Sequence, residues 1–73
     1  MEKYRNLGGS SGVSRYEVRD DSIVVEFSTG AKYIYSRSSC GEIHLSKLIG
    51  FAKAGRGLNS YINRNCKDCG RKL

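Results

Sequence analysis

The run "SIVVEF" places Ile23, Val25 and Phe27 on one side of the chain and Val24 and Glu26 on the other, the two-residue period of a strand. Upstream, "VSRYEVR" carries Tyr16 and Val18 at alternate positions and predicts a first strand, with Asp20 and Asp21 supplying the turn. Downstream, "STG" breaks the alternation. A three-residue hairpin loop commonly joins a type I turn to a glycine in the left-handed region, and Gly30 occupies that place. This register sets Phe27 opposite Ala31, Val25 opposite Tyr33 and Ile23 opposite Tyr35. Tyr33 and Tyr35 then join the apolar face, while Val24 meets Ile34 on the other. A two-residue Thr29-Gly30 turn would instead flip the third strand and expose both rings. The steric role of Gly30 favours the longer loop.

After the third strand the period changes. Ser39 and Glu42 have the spacing of a capping box at a helix start. Leu45, Leu48, Ile49 and Ala52 follow as one apolar helical stripe, and Gly55 and Gly57 end it. "LNSYINRN" predicts a second, shorter helix with Leu58, Tyr61 and Ile62 inward and Asn59 near its start. The expected fold class is α+β: a three-stranded antiparallel β-meander with one longer and one shorter helix packed on one face. Residues 1–12 lack a period, end in a Gly/Ser cluster and read as a flexible leader. The domain proper is expected over 13–65, with a basic tail over 66–73.

Length and charge sharpen this picture. A chain of 73 residues buries only about 60% of its unfolded surface, so its core is marginal and a crosslink or metal becomes valuable. The longest apolar run, Ile23 to Val25, is too short to span a bilayer. There is no export leader pattern, and the expected location is cytoplasmic, where cysteines stay reduced. Of the net charge of +6, most comes from Lys53, Arg56, Arg64, Lys67, Arg71 and Lys72, set against Asp68 alone. A basic half of this kind suits a phosphate backbone or an acidic protein surface, although a solvated face carrying charge for solubility is the plain alternative.

The cysteines fall into two pairs with the one histidine: Cys40-x-x-x-His44 and Cys66-x-x-Cys69. Positions 40 and 44 lie one helical turn apart, and Cys66 and Cys69 have knuckle spacing with Gly70 beyond. Together they predict a structural Zn2+ site that would pin the C-terminus to the start of the first helix. The competing reading is a small buried cysteine at 40, a surface His44 and two exposed thiols. One histidine, scattered carboxylates and no phosphate-cradling loop leave no nucleophile with a base, so no enzymatic activity is expected.

Phe27, Gly30, Tyr33 and Tyr35 reproduce F-x-x-G-x-x-Y-x-Y, and Gly55, Arg56, Asn59 and Ile62 fit G-R-x-x-N-x-x-I. In both motifs the chain resembles the KTSC domain family, named from the C-terminus of some lysyl-tRNA synthetases and also found as small stand-alone bacterial proteins. The resemblance covers residues 11–64. It implies an RNA-binding role, which is suspected for that family. Two features depart from the family: "SRSSCGE" replaces its proline-containing approach to the first helix, and the cysteines and His44 are not among its hallmarks.

The expected function is therefore a small non-enzymatic nucleic-acid-binding module, RNA rather than DNA. Lys53, Arg56, Arg64, Lys67, Arg71 and Lys72 would meet phosphates, with Asn59 as a further surface contact. Tyr33 and Tyr35 would stack on bases if they faced outward, whereas the favoured register makes them core. The alternative is a protein-interaction module: a phage or mobile-element regulator of a larger protein, or a homodimer through Val24 and Ile34.

Overall fold

The structure, a computed structural model, describes residues 1–7 and 12–73. The Gly/Ser cluster of the expected leader, at 8–11, lies outside the described residues. The fold is α+β, with an antiparallel sheet on one side and helices on the other. The sheet has five strands rather than the expected three, in the order β1 (Glu2–Lys3), β2 (Val13–Val18), β3 (Ser22–Phe27), β4 (Lys32–Ser36) and β5 (Arg71–Lys72). The two additional strands are two-residue edges, contributed by the segments read as a leader and a tail.

The central hairpin follows the expected register. Ile23 pairs with Tyr35, Val24 with Ile34 and Val25 with Tyr33. Phe27 N–H donates to Ala31 and Gly30 N–H to Phe27, closing the three-residue loop with Gly30 at φ 94°. A side chain at Gly30 would meet open space, so the glycine is required by its backbone angle and not by crowding. In β2 the pairing shifts between Val13 and Arg15, which makes Ser14 an extra residue. The bulge turns both Val13 and Tyr16 inward although they are three apart, while Val18, expected to share that face, is exposed at the strand end.

The helical layer consists of α1 (Arg37–Cys40), α2 (Glu42–Ala54), α3 (Leu58–Tyr61) and a π-helical segment, Ile62–Cys66. The capping box lies three residues earlier than expected: Ser36 and Ser39, not Ser39 and Glu42, exchange the two bonds. The run "SRSS" offers several capping serines, and the one that ends β4 wins because it leaves the sheet in extended geometry, with φ −110° and ψ 161°. Gly41, at φ 88°, then separates α1 from α2. The stripe of α2 buries Leu45, Leu48 and Ala52 and half-buries Ile49. Gly55 ends the helix in the left-handed region, donating to Phe51 and Ala52.

The N-terminal segment is docked. Tyr4 is 2% exposed, and its hydroxyl accepts from the Leu58 N–H at the start of α3. Arg5 donates to the Lys53 carbonyl at 2.7 Å, and Leu7 N–H to that of Gly55. These bonds satisfy carbonyls that the end of α2 leaves open. No helix among the described residues is long and apolar enough to cross a membrane.

Candidate nucleic-acid interface and the cysteine cluster

The core joins Val13, Tyr16, Ile23, Val25 and Tyr35 of the sheet to Leu45, Leu48, Leu58, Ile62 and Cys66 of the helical layer. Tyr33 and Tyr35 lie on this covered face. Tyr33 packs edge-on against Phe27, with centroids 5.7 Å apart, and Tyr35 is 3% exposed. Burial, and after it the nearby Tyr33 and Cys66 groups, pushes the Tyr35 phenol up to about 12. Neither ring is placed as a stacking platform for bases.

The expected phosphate contacts are all exposed but spread over several elements. Lys53 ends α2 and Arg56 sits between Gly55 and Gly57. Arg64 and Lys67 belong to the π-helical segment and the turn after it, and Arg71 and Lys72 form β5. Asn59 is half-buried on α3. The two ion pairs among the described residues, Arg15–Glu26 and Arg19–Glu17, use none of these cations. Those pairs also raise the Arg15 guanidinium and lower the Glu26 and Glu17 carboxyls, in each case chiefly through the hydrogen bond.

The cysteines are joined differently from the expected knuckle. Cys40 and Cys69 form a disulfide across 29 positions, with Cα atoms 5.2 Å apart. The reduced state expected for them does not hold. Cys66 is a free thiol, fully buried, and burial pushes its pKa up, which keeps it protonated and a poor nucleophile. His44 bonds through Nδ1 to the Tyr61 hydroxyl at 2.6 Å, and Tyr61 leans on Phe51. Burial, with Cys66 second, pushes the Tyr61 phenol up. Among the described residues no three His, Cys, Asp or Glu side chains gather as a metal group. The disulfide form does not fit tetrahedral zinc, since two of the four donors are bonded to each other. Three cysteines permit three pairings, and nothing in their spacing singles out this one.

Sequence reasoning also missed Tyr4 and Arg5, whose partners lie about fifty residues away on α2 and α3. The outer-face cations Lys3, Arg15 and Lys32 were missed as well. Each is one charge in a strand pattern, and only the register brings them to one side. No protein-family model, curated protein or solved structure matches the chain.

Proposed function

We propose that this chain is a small non-enzymatic domain that binds nucleic acid, RNA in preference to DNA, through exposed cations. The observation that carries the reading is the imbalance of charge. Lys53, Arg56, Arg64, Lys67, Arg71 and Lys72 are all exposed, and the ion pairs of the described residues leave them uncompensated. Such cations gain by displacing the counterions of a phosphate backbone. The resemblance to the KTSC family adds RNA to the charge argument.

The test is fluorescence anisotropy with a labelled oligouridine over a series of salt concentrations. Phosphate binding gives a straight line of log affinity against log salt, with a slope of about −0.7 per phosphate contacted. A flat response would reject the reading. It would favour instead the protein-interaction alternative, for which the exposed Met1, Val18, Ile43 and Leu73 are the supporting observation.

A further inference from the structure

Three rings gather on the rim of the helical layer. Tyr61 of α3 stands between two side chains of α2, its centroid 5.7 Å from that of His44 and 5.2 Å from that of Phe51. The bond from its hydroxyl to His44 Nδ1, at 2.6 Å, holds the phenol in one orientation. On α2 the inward stripe is Leu45, Leu48 and Ala52. His44 and Phe51 each precede a residue of that stripe, so they run along its flank and not beneath the sheet. All three rings are half-buried, whereas Leu48 and Leu58 of the same two helices are fully covered.

Cations border this cluster. Lys47, three residues after His44 and four before Phe51, takes the next place outward on the α2 surface. Arg64 follows Tyr61 by about one turn. Arg56 sits in the joint whose next residue, Gly57, lies against Phe51: a Cβ there would come within 3.1 Å of that ring. All three cations are exposed, and neither ion pair among the described residues uses them. Of the carboxylates nearby in the chain, Glu42 precedes His44 by two residues, which turns it to the other side of α2, and Asp68 lies in the turn beyond Cys66 without an ion pair.

The rings matter because Tyr33 and Tyr35 are turned to the covered face. Cations alone hold a duplex and a single strand in the same way, by their phosphates. A duplex keeps its bases stacked on one another, so an aromatic rim adds contact only to a base that is unpaired and free to lie on it.

We propose that the rim of His44, Phe51 and Tyr61 is a base-stacking subsite for single-stranded polynucleotide, with Tyr61 as its principal ring and Lys47, Arg56 and Arg64 on the adjoining phosphates. The proposal rests on the nucleic-acid reading above, to which it adds the bases as a second source of affinity.

The test uses a labelled oligouridine, an abasic strand of the same length, which carries the same phosphates without bases, and a duplex of mixed sequence. Wild-type protein is expected to bind oligouridine at least about fivefold more tightly than the abasic strand, as one stacked base requires. Tyr61→Leu should abolish that gap while its binding of the abasic strand and of the duplex stays within about twofold of wild type, with an unchanged salt slope, since no phosphate contact is lost. Tyr61→Phe keeps a ring and should keep the gap. Lys47→Gln should keep it too, with a salt slope on the single strand shallower by about 0.7. In the wild-type protein the ring protons of Tyr61 and Phe51 should move upfield with oligouridine and not with the abasic strand, a readout that needs no variant to fold.

Wild-type protein that binds none of the three probes overturns the nucleic-acid reading and this proposal together. Equal affinity for oligouridine and the abasic strand overturns the proposal alone and leaves the phosphate contacts standing. So do ring protons that stay in place while oligouridine binds, or a loss in Tyr61→Leu shared equally by all three probes.

Discussion

Gly70 is set against the ring of Tyr35. A Cβ built at Gly70 would lie no farther than 3.0 Å from three atoms of that ring, and the ring is buried and cannot retreat. Gly70→Ala is therefore expected to lower stability by about 1 to 3 kcal/mol, as overpacking does, and urea denaturation would measure it. The phenol of Tyr35 makes a separate prediction. In the unfolded chain it ionises near its ordinary value of 10, but in the folded chain only near about 12. Below pH 10 both states hold the proton and the stabilisation is intact. Between those values the unfolded state sheds a proton that the folded state keeps, so stability falls as pH rises. The expected loss between pH 9.5 and 11.5 is about 2 kcal/mol, and Tyr35→Phe should remove most of it in denaturation curves at those two values. Tyr16 and Tyr61, whose phenols burial also raises, leave a smaller slope behind.

At the scale of elements, legibility followed length. β3 and β4 could be read because alternation and Gly30 agree on one register, and α2 because its stripe repeats over thirteen residues. The edges β1 and β5 could not be read: two residues carry no period, and each strand exists only because a neighbour offers unpaired backbone groups. The bulge at Ser14 likewise hides in the pattern, since Val13 and Tyr16 fit neither a period of two nor a helix. For the candidate site, charge was legible and placement was not. Lys53 through Lys72 stood out as a basic run, yet chain order scatters them over the helical layer and the sheet edge. Lys3 and Lys32 share a face only because strand pairing aligns them with Arg15 and Glu26. The short edges also protect the sheet. A two-residue strand is a poor template for another chain, and here Lys3 and the β5 pair Arg71 and Lys72 charge both rims.

For the molecule as a whole, the crosslink between Cys40 and Cys69 supplies what a small core lacks. Closing a loop across 29 positions removes unfolded-state freedom equivalent to about 3.5 kcal/mol in the chain-entropy account. Against a total stability of about 5 to 15 kcal/mol, that is a large share. Reduction, or the pair Cys40→Ala and Cys69→Ala, is expected to lower stability by about 3 kcal/mol. Thermal melts with and without a phosphine reductant would show the change, and wild-type protein indifferent to reductant would contradict it. The same bond ties the chain between α1 and β5 into a covalent ring holding α2, α3 and the π-helical segment. A protease that nicks this ring would therefore release no fragment. The cut protein would gain the mass of one water, migrate as a single species, and separate into two peptides only when the sulfur bridge is opened.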